Sequence, residues 1–296
     1  MTDAAPPRIF DRALLAARLA RAQRQGPAEF LLERVADDAM ERLGAIKREF
    51  PRVLDIGTPA PLLTRALASR KPARLARAAP LAEAPESAWH TLVADHENLP
   101  FAPESFDLAV SALSLQFVND LPGALVQIRR ALAPDGLFLA CLIGGQTLYE
   151  LRTALAAAEE EITGGASPRV APFADLRDMG GLLQRAGFAL PVTDVDTVTV
   201  RYSHFFALAR DLRAMGATNI LVQRNRRPAP RALFLRTAEI YAERFADADG
   251  RIRATFELIW LSGWAPHESQ QKPLRPGSAK TRLADALGTR ERKLEP

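Results

Sequence analysis

The chain has 296 residues, 48% of them hydrophobic, enough to bury a sizeable core in one large domain or one domain with a substantial insertion. Its single cysteine, Cys141, excludes an internal disulfide framework and a cysteine-based zinc site, and no uninterrupted apolar run of about 18 residues is present to form a transmembrane helix. The net charge of +4 is uneven: residues 201–296 carry 18 Lys and Arg against 10 Asp and Glu, while residues 1–200 carry 21 against 25.

Residues 1–10 lack the apolar core of a secretory signal. From Asp11 to Arg24 the chain is Arg-rich and helix-like, as in a mitochondrial transit peptide. Asp3, Asp11 and the scarcity of serine favour instead a short amphipathic leading helix on a cytoplasmic protein. Helices are expected over 9–24 and 28–48, separated by the breaker Gly26-Pro27. In the second, Phe30, Leu31, Val35, Ala39, Leu43 and Ile46 recur at helical spacing. Then Arg52-Val53-Leu54-Asp55-Ile56-Gly57, an apolar run closed by glycine, reads as a buried parallel strand. A weak helix follows over 59–69, then a poor strand over 73–78 and clearer strands over 91–94 and 106–111. A helix over 121–132 stops at the turn Pro134-Asp135-Gly136, before a fifth strand over 137–143.

Strand–helix alternation of this kind argues for a parallel sheet covered on both faces. Beyond it the pattern predicts helices over 147–161 and 173–186, a strand over 192–202, helices over 203–215 and 231–245, and a last strand over 252–264. The fold class is therefore α/β: a Rossmann-like, seven-stranded, mostly parallel sheet with N-terminal helices and helical lid insertions. Residues 1–50 form an N-terminal helical extension, 51–265 the main domain with its insertions, and 266–296 a basic, partly disordered tail. No aromatic residues interleave the basic C-terminal part, so a solvated face is expected there and nucleic acid is not an expected partner.

In an open parallel sheet, ligands bind beyond the carboxyl ends of the strands where the strand order reverses. Those ends carry Asp55 and Gly57 on the first strand, Asp95 and His96 on the third, and Ser111 on the fourth. A carboxylate such as Asp95 suits the amino group of a nucleobase; it equally suits a turn with Asn98 ahead of Pro100. His204 reads as a helix-start packing residue, and Tyr149 and Glu150 either face a substrate or decorate a helix. Cys141, within an apolar run, reads as a buried small hydrophobe. With four histidines in the chain, His267 and Glu268 lack the further ligands a metal site needs, so no metal is expected. No residue is assigned as a catalytic acid, base or nucleophile.

Several blocks carry a family resemblance: Ile9-Phe10-Asp11-Arg12, Asn98-Leu99-Pro100-Phe101, Ser114-Leu115-Gln116-Phe117-Val118-Asn119-Asp120-Leu121-Pro122, Gly144-Gly145-Gln146-Thr147-Leu148-Tyr149-Glu150-Leu151-Arg152, and Gly263-Trp264 with His267-Glu268-Ser269-Gln270. The chain resembles the class I S-adenosylmethionine-dependent methyltransferases, in the group of the malonyl-carrier-protein methyltransferases. It resembles more closely the mitochondrial complex I assembly factors that hydroxylate an arginine of a respiratory subunit. That resemblance implies S-adenosylmethionine as cofactor, bound at Asp55, Gly57, Asp95, His96 and Ser111, and a protein substrate such as a respiratory complex subunit.

Two departures bear on the cofactor. The family's first-strand loop is rich in glycine, whereas here it reads Asp55-Ile56-Gly57-Thr58-Pro59-Ala60-Pro61, so two N–H groups are missing. A helix can still start there, with Thr58 as N-cap and Pro59 in the first position. The family's acidic residue after the second strand, which binds the ribose hydroxyls, is replaced by Arg77-Ala78-Ala79-Pro80, with Glu83 the first acid available. An unpaired buried hydroxyl costs on the order of 1–3 kcal/mol. Two readings stand: an enzyme whose catalysis is mostly positioning of an activated methyl donor, and a cofactor-deficient scaffold or chaperone on the same fold.

Overall fold

The first helix, α1 (Arg12–Gln25), starts on Asp11, whose carboxylate accepts from Leu14 N at 3.0 Å. The computed structural model describes residues 8–173, 175–271, 284–285 and 288–289. The second helix, α2 (Phe30–Gly44), turns Leu31, Leu32, Val35, Ala36, Ala39 and Leu43 inward; of the expected stripe, Phe30 is instead exposed and Ile46 lies beyond the helix end. The sheet follows as β1 (Arg52–Ile56), α3 (Leu62–Ala68), β2 (Arg74–Ala79), β3 (His90–Val93), β4 (Phe106–Ala112), α4 (Leu121–Ala131) and β5 (Leu132–Ile143). Next come α5 (Tyr149–Thr163), α6 (Leu176–Arg185), β6 (Ala189–Tyr202), α7 (Phe205–Ala214), α8 (Arg231–Phe245) and β7 (Ile252–Trp264).

The strand order is β3-β2-β1-β4-β5-β7-β6. β1 to β5 pair in parallel, while β7 lies antiparallel between β5 and β6. The order reverses between β1 and β4, so their carboxyl ends open the crevice in which this architecture takes ligands. One face of the sheet packs on α2, α3, α5, α7 and α8 through residues such as Leu43, Leu63, Leu155, Leu208 and Tyr241. The other packs on α4 and α6 through Leu125, Ile128, Met179 and Leu183. Each such side chain, fully buried, contributes about 1.5–3 kcal/mol. A third cluster, Phe10, Leu15, Leu19, Ile220 and Leu221, joins α1 to the segment after α7.

β5 begins five residues earlier than its apolar run predicts. Leu132 already pairs with Phe106, and the predicted turn is accommodated as an irregularity in the ladder between Phe106 and Leu108. Asp135 takes a φ of 61°, and a Cβ on Gly136 would meet Ala133 O at 2.8 Å, so glycine is required there. Residues 1–266 form one compact unit and residues 267–296 a second, smaller one. Within the latter, His267 Nδ1 and Ser269 Oγ are 2.7 Å apart. Most of the predicted tail, 266–296, lies outside the described residues. No helix among the described residues is long and apolar enough to cross a membrane.

Candidate functional site

A cavity of about 730 Å³ opens beyond the carboxyl ends of the central strands. Gly57, Asp95 and His96 line it, opposite apolar side chains of α1 and α7 such as Leu15, Leu19 and Leu212. Asp55 and Ser111, expected beside them, are close by but turned into the protein and buried. Ser111 Oγ donates to Ile56 O at 2.7 Å and lies 3.0 Å from Ser114 Oγ, bracing β4 on β1.

Asp55 is held by three groups. The Thr58 and Thr64 hydroxyls donate to its two carboxylate oxygens, and Arg77 Nη1 donates to Oδ2 at 2.9 Å. Thr58 is thus drawn under β1 rather than capping a helix, and its oxygen also accepts from Ala112 N at 3.2 Å. With Thr58 so used and two prolines in the loop, α3 starts only at Leu62, behind Pro61.

Arg77, fully buried on β2, is in register with Asp55 on β1. Its Nη2 donates to Thr58 O at 2.7 Å and to Glu83 Oε1 at 2.7 Å, and its Nε to Glu83 Oε2 at 2.8 Å. Burial disfavours the guanidinium charge most, but the bonds and charges of Glu83 and Asp55 outweigh it and raise the pKa. Glu83 is therefore committed to Arg77. The residue at the end of β2, Ala79, is wholly buried.

At the end of β3 the acidic stretch binds α1. Arg12 Nη2 donates to Asp95 Oδ1 at 2.8 Å, and Arg12 Nη1 to Glu97 Oε1 at 3.1 Å. Arg12 Nη2 also lies 2.9 Å from His96 Nδ1; a guanidinium only donates, so Nδ1 accepts and the ring is neutral. Asn119 clips the chain ahead of α1, its Oδ1 accepting from Ile9 N and Phe10 N, both at 2.8 Å. Phe10 meets Phe117 edge-on at 5.8 Å. Two of the motif blocks, 9–12 and 114–122, thus meet in space. Arg12 and Asn119 stand in the resemblance blocks and Arg77 at the altered end of β2, but the contacts these three make here were not expected from the sequence.

His96 is 5% exposed, and its ring fills the notch above Gly57. A Cβ built on Gly57, which has a φ of 71°, would fall 1.7 Å from His96 Nε2. That nitrogen has no hydrogen-bond partner and is sealed from solvent. Burial first, then the Arg12 charge, pushes the His96 pKa from 6.5 down to about 4. The fold therefore favours the neutral ring, and the associated stability is complete above pH 6.5 and lost as pH falls toward 4. Thermal unfolding measured across that window should show a steeper acid loss for the native chain than for His96→Asn. Equal slopes would refute it.

The other singled-out residues are structural. His204 caps α7, its Nδ1 accepting from Ala207 N at 3.2 Å. Glu150 is buried and accepts from Thr255 N at 3.2 Å, and Tyr149 packs edge-on against Phe245. Cys141 is buried, which pushes its thiol pKa up. Among the described residues no group of three or more His, Cys, Asp or Glu is placed to hold a metal ion.

At the positions where the resemblance places S-adenosylmethionine, the residues depart from the family's pattern. The notch above Gly57 holds His96. The acceptor position after β2 is a buried alanine, and the nearest acid is paired with Arg77.

Residues 54–140 match the methyltransferase domain family. Over 272 residues the chain is 38% identical to the arginine-hydroxylase NDUFAF5, mitochondrial, of Danio rerio, covering 87% of this chain and 82% of that protein. It is 33% identical over 288 residues to the malonyl-[acyl-carrier protein] O-methyltransferase of Halorhodospira halophila, covering 93% of each. Among solved structures, a candidate methyltransferase of Bacillus halodurans superposes with a TM-score of 0.52 at 15% identity, covering 78% of this chain and 98% of that one. At that identity the superposition shows the fold alone.

Proposed function

Because this chain belongs to the family of the NDUFAF5 arginine-hydroxylases, built on the methyltransferase fold, we propose that it serves respiratory complex I assembly by holding a protein substrate at the cavity beyond the central strands. The observation that supports the reading is the open, mostly apolar cavity, beside which Asp95 and Glu97 hold α1 in place through Arg12. The apolar remainder of the cavity suits the partner's neighbouring side chains. S-adenosylmethionine enters no step of this reading, which takes the scaffold or chaperone role. The retention of Gly57 and Asp95 at the cavity favours the second reading, a cofactor-using enzyme. The cytoplasmic placement expected from the sequence stands only as a proposal beside relatives that are mitochondrial by name.

The test is genetic and chemical. Deleting the gene should lower the amount of assembled complex I, and the native chain should restore it. A double Asp95→Ala, Glu97→Ala variant that folds should not. Mass spectrometry of the complex I subunits then reports whether an arginine gains an oxygen or a methyl group, or neither. Normal complex I in the deletion strain would sink the reading.

A further inference from the structure

We propose that this chain has exchanged the cofactor end of its cleft for contacts with itself, and works without binding S-adenosylmethionine. The inference deepens the functional reading above and rests on the cleft beyond β1 and β4 being the family's site.

Three places matter in such a cleft, and each is taken by the chain. The first is the floor after β1. A glycine there lets a ligand approach the backbone closely. Here the close approach belongs to His96, whose ring atoms Nε2, Cδ2 and Cε1 all lie within 2.8 Å of the position of a Cβ on Gly57. The orphaned Nε2 is sealed against that floor, so it offers no donor to a molecule in the open cavity.

The second place is the loop after the floor. Its prolines, Pro59 and Pro61, supply no N–H groups. Thr58, the residue between floor and prolines, is fully buried, its hydroxyl on Asp55 and its carbonyl on Arg77. A loop fastened from below by a carboxylate, two hydroxyls and a guanidinium is not free to wrap a ligand.

The third is the rim at β2. The family's pattern meets a pair of vicinal hydroxyls there with a carboxylate, which can accept from both. Ala79 presents none, and Glu83 gives both its oxygens to Arg77. Arg77, fully buried beneath the loop, thus draws both oxygens of the nearest acid onto its own guanidinium. His96 and Arg77 come from different strands, and each is explained without the cofactor.

Isothermal titration of S-adenosylmethionine, and separately of S-adenosylhomocysteine, into the purified full-length chain is the test. The small molecules released when that same preparation is denatured should be identified by mass spectrometry. The expected result is no saturable heat at millimolar ligand, and neither nucleoside released, from protein that unfolds cooperatively. Saturable binding at micromolar concentration, or co-purification of either nucleoside, would overturn the proposal. Failure of the complex I complementation with no binding would overturn the assembly role alone; binding with successful complementation would overturn this inference alone.

Discussion

Replacing Arg77 with alanine is expected to destabilise the protein by about 3–5 kcal/mol, because Asp55 stays fully buried beneath the cleft without its cation. The substitution removes five side-chain bonds that tie β2 to β1, the following loop and helix, and Glu83: one to Asp55, one to Thr64 Oγ1, one to Thr58 O and two to Glu83. For a domain of this size each kcal/mol moves the melting temperature by roughly 2–4 °C, so a drop of about 10 °C is expected in thermal unfolding followed by circular dichroism. Arg77→Lys should recover only part of it. An ammonium keeps the charge but lacks the planar fork that reaches Asp55 and both oxygens of Glu83 together. A loss of less than about 1 kcal/mol in Arg77→Ala would show that the buried network is not what holds the loop.

The second large effect is at Gly57. Alanine there meets two penalties. The φ of 71° costs a non-glycine residue about 1–2 kcal/mol. The new Cβ, 1.7 Å from His96 Nε2, forces the ring out of its notch, and overpacking of this kind typically costs about 1–3 kcal/mol. His96→Ala alone also destabilises, by removing the acceptor for Arg12 and leaving a gap. In the double variant the collision disappears, leaving the backbone cost and the cost of losing His96 itself. Denaturant unfolding of the four proteins should therefore give a coupling energy of about 1–3 kcal/mol, with the double variant better than the sum of the singles. Additivity within about 0.5 kcal/mol would mean that His96 does not rest on Gly57.

These two sites differ in how they could be read from the chain. Gly57 ends an apolar run, and that local signal places it at a strand tip without any structure. Arg77 is different. Its strand, 74–79, has no strong apolar alternation, and nothing local marks its charge as buried. It is buried because β2 pairs with β1 in the register that sets Arg77 against Asp55. The expected helix start at Thr58 failed for the same reason. Thr58 has the right side chain for a cap, but the buried carboxylate of Asp55 takes its hydroxyl first. The early start of β5 follows from pairing as well, since Leu132 finds Phe106 before the apolar run begins.

The class of fold, the succession of strands and helices and the position of the cleft were all legible in periodicity and in the placement of glycine and proline. Those signals act within a few residues, where hydrogen-bonding geometry and side-chain spacing leave few choices. What fills the cleft was not legible. Arg12 reaching Asp95, His96 covering Gly57 and Arg77 joining Asp55 to Glu83 each depend on where α1, β2 and β3 come to rest. Those positions follow from strand register and from the packing of helices on the sheet, which no local window of the chain contains.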